Sequence, residues 1–156
     1  ALRNPERKIR GCDPDADRIS IAQQAGKNLA NLEYENEFFQ KGTYDELDGI
    51  FVNGVLYLLK DQALVELLHA IRKSLKPGGV FILCDMPPSS GVDLIHWGHM
   101  VREKLLQSIG FIKEGQGIFL RSEGNWEGLL NEAGFSKLTY FKANVILHRV
   151  FNLHCQ

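Results

Sequence analysis

The run LKPGGVFILC, residues 75–84, joins the end of a predicted helix to a buried strand. Its Pro-Gly-Gly segment disfavours a helix, because proline lacks the amide hydrogen and glycine is a poor helix former. Residues 80–84 are all apolar, which is typical of a strand that is covered on both faces. Upstream, apolar residues at helical spacing predict a helix that begins with Asp61 as its N-cap: Ala63, Leu64, Leu67, Leu68, Ile71 and Leu75.

Toward the N-terminus, strand-like and helix-like segments alternate. Residues 8–13 form a short strand candidate, and a second, weaker one covers residues 32–38. Between them, after Pro14, apolar residues at threes and fours predict a helix: Ile19, Ala22, Ala25 and Leu29. A nearly all-apolar strand follows at residues 49–53. Such alternation is typical of parallel strands joined by crossover helices, so the predicted fold class is α/β with a mostly parallel sheet.

The C-terminal part of the chain changes character. A helix is predicted between Asp93 and Ile109, and a shorter one between Ser122 and Ala133, where Gly134 supplies the stop. Residues 136–141 and 144–153 then follow one another with only two residues between them. This spacing predicts an antiparallel hairpin that closes the sheet.

The composition limits the partners of the chain. Eighteen basic and nineteen acidic residues give a formal charge of -1, and no long run of like charges occurs, so we expect neither a nucleic-acid nor a membrane partner. No stretch approaches the roughly 18 apolar residues of a membrane span, and we expect no targeting segment. The three cysteines are widely spaced, which favours a reduced, cytoplasmic setting. Residues 1–156 contain no linker and are predicted to form one domain.

Four short runs, taken in order, carry a family resemblance. They are RGCD at 10–13, LDGIFVNGVL at 47–56, LKPGGVFI at 75–82 and LNEAGF at 130–135. With the terminal hairpin, they resemble the class I S-adenosylmethionine-dependent methyltransferases over nearly the whole chain. The resemblance implies a Rossmann-like sheet and S-adenosylmethionine as the cofactor, lying across the carboxyl ends of the strands.

The resemblance also implies a ribose contact. Asp13, which adjoins Pro14, matches the acidic residue that accepts hydrogen bonds from both ribose hydroxyls of the cofactor. A carboxylate suits this task, because it can accept two donors and its charge strengthens the bonds. Capping of the helix after Pro14 is an alternative role for Asp13, and the two roles could coexist.

Two further pairs of residues match cofactor contacts of the family. Glu37 and Phe38 match the position that contacts adenine; the alternative is a solvated acidic edge with core phenylalanines. Asn53 and Gly54 follow the strand at 49–53, close to the expected place of the transferred methyl group. Glycine there would let ligand and backbone approach closely, and the alternative is a simple turn.

The chain departs from the family in one element. The first strand and its glycine-rich loop have no counterpart before Gly11, and we expect them to precede Ala1. Since that strand lies between the second and the fourth, its absence predicts two half-sheets with open inner edges. A longer N-terminal region is the favoured explanation. A strand from another chain, for example in a homodimer, or a longer polypeptide with 156 ordered residues, stays open.

Methyl transfer from a sulfonium needs mainly positioning and, where the acceptor loses a proton, a base. The base candidates are His96 and His99, which are three residues apart and share one face of the predicted helix. A metal pair is an alternative, but no third ligand is apparent, so no metal is predicted. Surface or core histidines on an amphipathic helix are the other alternative.

The acceptor is predicted to be a small molecule. The residues after the strand at 49–53 lack the paired prolines and aromatic ring of methyltransferases that act on DNA bases. Two other functions compete with methyl transfer. A catalytically silent scaffold would bind a partner protein through its open sheet edge or apolar loops, and a nicotinamide-dependent oxidoreductase would share the sheet and the acidic residue but explain the terminal hairpin poorly.

Overall fold

The structure is a computed structural model of the chain. It describes residues 4–41, 44–85, 98, 101–102, 104–106, 108–110, 117, 119, 121–142 and 149–154. The chain forms two compact units, Ala1–Thr43 and Tyr44–Gln156. Two such units can belong to one domain, so a single domain over residues 1–156 stays a prediction.

The first unit is a pair of parallel strands joined by a helix. β1 (Ile9–Cys12) pairs with β2 (Leu32–Glu35), and α1 (Ala16–Gly26) forms the crossover between them. A 3-10 turn follows at Phe39–Lys41. These elements confirm the predicted strand, helix and strand, although β2 ends at Glu35 instead of extending to residue 38.

The ring of Tyr34 packs against two glycines of the first unit. A β-carbon at Gly11 would lie 3.0 Å from Tyr34 Cδ1. At Gly26, the last residue of α1, a β-carbon would lie 2.9 Å from Leu32 Cδ2 and 3.1 Å from Tyr34 Cε2. Contacts this short force neighbouring atoms to move, so the missing side chain of Gly26 lets the end of α1 approach β2.

The second unit is built on a four-stranded mixed sheet. Its strands are β3 (Leu47–Asn53), β4 (Leu75–Asp85), β5 (Lys137–Lys142) and β6 (Arg149–His154), in the spatial order β3-β4-β6-β5. β3 and β4 are parallel, whereas β6 is antiparallel to both β4 and β5. The described strands therefore form two sheets, as expected, and the α/β class with a terminal antiparallel pair is confirmed.

The connection between β5 and β6 differs from the predicted one. Lys142 pairs with Arg149, so residues 143–148 separate the strands, and a two-residue connection is wrong. Tight two-residue hairpins require residues that accept positive φ, such as Asn-Gly, and the Lys142-Ala143 pair offers none. Residues 143–148 lie outside the described part of the chain.

α2 (Asp61–Ser74) connects β3 to β4 after a 3-10 turn at Leu56–Leu58. Its predicted apolar face is buried: Leu64, Leu67, Leu68 and Ile71. The N-cap is Lys60, which makes no side-chain cap bond, so the prediction of Asp61 as the cap is wrong by one residue. The carboxylate of Asp61 accepts a hydrogen bond from Arg121 instead.

The segment Lys76–Gly79 bulges out of the ladder between β3 and β4. The register shifts there, so these residues of β4 all stand opposite Asp48. Lys76 Nζ lies 2.8 Å from Asp48 Oδ1, and this bond lowers the pKa of Asp48 and raises the pKa of Lys76. A β-carbon at Gly79 would lie 2.9 Å from the Lys76 carbonyl oxygen. The Pro-Gly-Gly run thus ends α2 at Ser74, as predicted, and closes a bulge that no other residue would fit.

The core of the second unit lies on one face of β4. Phe81 and Leu83 alternate along β4 and are fully buried, and the ring of Phe81 lies 5.4 Å from that of Phe135. α2 packs against β4 and against α3 (Glu123–Glu132). α3 contributes Trp126, which is 1% exposed, to the same core.

α3 begins and ends with sequence signals that were local enough to predict. Ser122 is its N-cap and accepts a backbone hydrogen bond through its hydroxyl. Gly134 has φ +88°, and the N–H of Phe135 donates to the Leu130 carbonyl at 3.0 Å. This is the Schellman pattern, in which a glycine takes the left-handed conformation after the last turn. The stop predicted at Gly134 is confirmed.

The helix predicted between Asp93 and Ile109 is described only in part. Residues 98, 101–102, 104–106 and 108 are helical, and the other residues of the prediction lie outside the described ones. No helix within the described ranges has the length and the apolar character needed to cross a membrane.

Two glycine-to-alanine substitutions should have opposite effects on stability. Gly26→Ala should lower the free energy of unfolding by about 1–2 kcal/mol, because overpacking against Leu32 and Tyr34 outweighs the helix propensity of alanine. Gly128→Ala, inside α3, should raise it by roughly 0.5–1 kcal/mol, because alanine is the better helix former and no atom lies near the added β-carbon. Urea unfolding followed by circular dichroism measures both. A stabilising Gly26→Ala would contradict the described packing.

Candidate cofactor site

Asp13 lies at the carboxyl end of β1, where both its backbone and its side chain are held. Its N–H donates to the Glu35 carbonyl at 3.2 Å, and its Oδ1 accepts from the N–H of Asp15 at 2.8 Å. The turn closed by this second bond contains Pro14, whose ring fixes one backbone dihedral. The side chain of Asp13 is 32% exposed. The carboxylate is therefore held in place and still reaches solvent.

The aspartate that caps α1 is Asp15. Its carboxylate accepts hydrogen bonds from the N–H groups of Asp17 and Arg18, at 3.0 and 3.4 Å. Capping as the role of Asp13 is therefore wrong, because the chain needs two more residues to enter the helix. A carboxylate offers about four lone-pair sites, and Asp13 uses one of them on Asp15, with Arg18 Nη1 4.0 Å from its Oδ2. Acceptor capacity for two hydroxyl donors is left.

Glu37 and Phe38 follow β2 at the same sheet edge as Asp13. They lie there because β1 and β2 are parallel, and the carboxyl ends of parallel strands share an edge. Glu37 is half-buried, whereas Phe38 is 41% exposed and so is not a core side chain. The first unit thus brings three of the predicted residues to one edge, and the adenine contact itself stays a prediction.

Asn53 and Gly54 end β3 in the second unit. Asn53 is exposed and pairs with Cys84, and the N–H of Gly54 donates to the Cys84 carbonyl at 2.8 Å. Gly54 has φ +62°, a left-handed conformation that favours glycine, so the turn alone already requires it. No described atom lies within 4 Å of a β-carbon built there. Turn and open space are both present, which suits a close approach of a ligand without requiring one.

Arg121 is a buried cation that the sequence gave no reason to single out. Its side chain is 4% exposed, yet it precedes the cap of α3, where an arginine is usually solvated. Its Nε and Nη2 lie 2.8 and 2.7 Å from Asp61 Oδ1. Its guanidinium carbon lies 5.4 Å from the ring centre of Trp126, within the range of cation–π attraction.

The guanidinium also ties together two segments that are distant in sequence. It donates to the carbonyls of Leu56 and Leu59, on either side of the 3-10 turn after β3, and to the carbonyl of Phe119. The N–H of Phe119 in turn donates to the Tyr57 carbonyl at 2.7 Å. Arg121 therefore fixes the turn that follows Asn53 and Gly54. Periodicity and capping rules could not reveal it, because its partners lie about sixty residues away.

The base candidates His96 and His99 lie outside the described residues, so their role stays a prediction. Within the part of the chain that is described, no group of three or more histidine, cysteine, aspartate or glutamate side chains could hold a metal ion. The description of the site therefore rests on Asp13, Glu37 and Phe38 in the first unit and on Asn53 and Gly54 in the second.

Residues 3–140 match a family model that is described as a methyltransferase domain. The chain belongs to this methyltransferase family. The predicted family and Rossmann-like fold are thereby confirmed, and S-adenosylmethionine is the cofactor of the family, as the resemblance implied. A comparison with curated proteins finds no match.

Solved structures with the same fold include several methyltransferases. Human N-acetylserotonin methyltransferase in complex with S-adenosylmethionine has a TM-score of 0.75 at 18% identity, over 99% of this chain and 42% of that one. The mitomycin 7-O-methyltransferase MmcR has the same TM-score and identity, over 96% and 42%. LepI in complex with S-adenosylmethionine has a TM-score of 0.68 at 19% identity, over 99% and 38%. The likeness shows the fold, and the chain spans less than half the length of each structure.

Proposed function

We propose that the chain takes part in methyl transfer from S-adenosylmethionine to a small-molecule acceptor. The observation that carries the proposal is the methyltransferase-domain match over residues 3–140. The held and accessible carboxylate of Asp13 supports it, because it stands at the strand end where doubly wound folds bind their ligands.

The described residues fit an adenosyl group. The two oxygens of Asp13 suit the neighbouring hydroxyls of a ribose, since one carboxylate can accept both donors. On the same edge, the exposed ring of Phe38 offers an apolar surface to a purine, and Glu37 offers an acceptor to an amino group. In the second unit, the open space beside Gly54 admits a ligand close to the backbone.

The residues of the chain contribute binding, orientation and proton transfer to this reaction. When bound, S-adenosylmethionine supplies an electrophilic methyl group that an acceptor atom takes by in-line displacement. His96 and His99 are the proposed bases that remove a proton from the acceptor. Replacing each with glutamine tests this role: a slower transfer to a hydroxyl acceptor with unchanged cofactor affinity supports it, and an unchanged rate in both variants overturns it.

Isothermal titration of S-adenosylhomocysteine into the chain tests cofactor binding. Saturable binding that excess nicotinamide dinucleotide does not compete away supports the proposal, whereas preferential binding of the dinucleotide favours an oxidoreductase. The same titration with a polypeptide extended upstream of Ala1 tests the predicted glycine-rich loop. Binding by neither polypeptide favours the catalytically silent scaffold.

The proposed acceptor is a small molecule because the chain carries a formal charge of -1 and no basic run that would attract a nucleic acid. The names of two structural neighbours, the mitomycin and N-acetylserotonin methyltransferases, point to acceptors of the same size class. Transfer of a labelled methyl group to a panel of phenols and amines, compared with DNA and RNA, tests this choice. Labelling of nucleic acid alone would overturn it.

A further inference from the structure

The side chain of Asn36, the first residue after β2, crosses to the end of β1. Its Nδ2 donates to the Asp13 carbonyl at 3.0 Å. The N–H of Asp13 donates to the Glu35 carbonyl at 3.2 Å. Asp13 is therefore tied to the end of β2 on both sides of its own Cα.

The Asn36 side chain replaces a backbone bond of the sheet. Cys12 pairs with Glu35, which places Asp13 opposite Asn36 in the parallel register. In a continued ladder, the Asp13 carbonyl would accept from the N–H of Glu37, the residue after its partner. The amide of Asn36 takes that place. The chain can therefore bend at Glu37 and leave the sheet while the Asp13 carbonyl keeps a hydrogen bond.

This bond reaches the carboxylate of Asp13 through a short covalent path. The Asp13 carbonyl belongs to the peptide that joins Asp13 to Pro14, and the next peptide carries the N–H of Asp15, which donates to Asp13 Oδ1. Pro14 adds stiffness because its φ is fixed. Holding the carbonyl therefore holds the donor that orients the carboxylate.

We propose that Asn36 is a positioning residue, which sets the Asp13 carboxylate for the ribose of the cofactor. The proposal rests on the proposed function, in which Asp13 accepts the ribose hydroxyls. Asn36 itself is exposed and need not touch the ligand. By ending the ladder one residue before Glu37, it also directs the two residues that are predicted to contact adenine.

Asn31 offers a matched control at the other end of β2. Its Nδ2 donates to the carbonyls of Asn4 and Arg7, at 3.2 and 2.8 Å, so it also bonds the backbone that flanks β1. Asn31 lies at the amino end of the strand, away from Asp13 along the sheet. A purely structural effect of losing an asparagine amide should appear in both Asn31→Ala and Asn36→Ala, whereas an effect on ribose recognition should appear only in Asn36→Ala.

The experiment compares the affinities of S-adenosylhomocysteine and its 2′-deoxyribose analogue in the wild-type chain and the two variants. In Asn36→Ala, we expect the affinity for S-adenosylhomocysteine to fall roughly 3- to 10-fold, on the scale of one hydrogen bond, and that for the analogue to fall less than about twofold. Asn31→Ala should lower the melting temperature and keep the ratio of the two dissociation constants. Equal losses for both ligands in Asn36→Ala would overturn the positioning role and leave the proposed function standing.

A second measurement decides the positioning role without a ligand. Amide hydrogen exchange at Asp15 should become faster in Asn36→Ala, because its acceptor is no longer held, and should be unchanged in Asn31→Ala. Unchanged exchange in Asn36→Ala overturns the proposal. If the wild-type chain binds neither ligand, the proposed function fails for this chain and so does the ribose role of Asn36, whatever the exchange at Asp15 shows about the turn.

Discussion

Replacing Arg121 with methionine should lower the free energy of unfolding by about 2–4 kcal/mol, because buried acceptors left without donors cost roughly 1–3 kcal/mol each. The guanidinium serves the carbonyls of Leu56, Leu59 and Phe119, and the first of these bonds is buried. Methionine keeps the apolar contact with Trp126 but cannot donate. The loss therefore measures the polar role of Arg121 more than its packing.

Asp61→Asn is the control, because Asp61 is the exposed partner of the same ion pair. The side chain of Asp61 is 74% exposed and that of Arg121 is 4% exposed. Loss of the charge of Asp61 should therefore cost no more than about 1 kcal/mol, the usual range for solvated pairs, and the carbonyl bonds of Arg121 stay in place. Urea unfolding followed by tryptophan fluorescence measures both variants. Equal losses in the two would contradict the view that the carbonyls, more than the ion pair, need Arg121.

The same pair of residues shows where sequence reasoning about this fold succeeds and where it fails. The end of α3 at Gly134 and the buried face of α2 follow from signals within a few residues, so they could be predicted. The N-cap of α2 could not, because Asp61 bonds to a residue sixty positions later in the chain. A residue suited to capping is available for it only when no stronger donor reaches it, and long-range donors leave no local pattern.

The candidate site divides along the same line. The position of Asp13 at the end of β1 follows from strand and turn signals, and so does the shared edge with Glu37 and Phe38. Which of two nearby aspartates caps α1 depends on where the helix begins, and a shift of two residues gave the cap to Asp15. The bond from Asn36 to Asp13 depends on strand register, which an isolated four-residue strand does not specify on its own.

Replacing Asp13 with alanine should weaken the binding of S-adenosylhomocysteine by about 1.5–3 kcal/mol, the usual contribution of hydrogen bonds to a charged group. The alanine variant also loses the bond to the N–H of Asp15. Asp13→Asn separates the two effects, because its amide oxygen can still accept from Asp15 while the charge is gone. Most of the loss in affinity should therefore persist in Asp13→Asn, with little change in the free energy of unfolding.

Asp15→Ala provides the opposite case. It removes the N-cap of α1, which should lower stability by about 0.5–2 kcal/mol, but keeps the carboxylate of Asp13 and the backbone N–H that orients it. Titration calorimetry and urea unfolding on the same variants should thus show affinity lost without stability in Asp13→Asn, and stability lost without affinity in Asp15→Ala. Equal losses of affinity in both would mean that the turn, and not the charge, recognises the ligand. Unchanged affinity in Asp13→Ala would contradict the ribose contact itself, since no other described carboxylate stands at the end of β1.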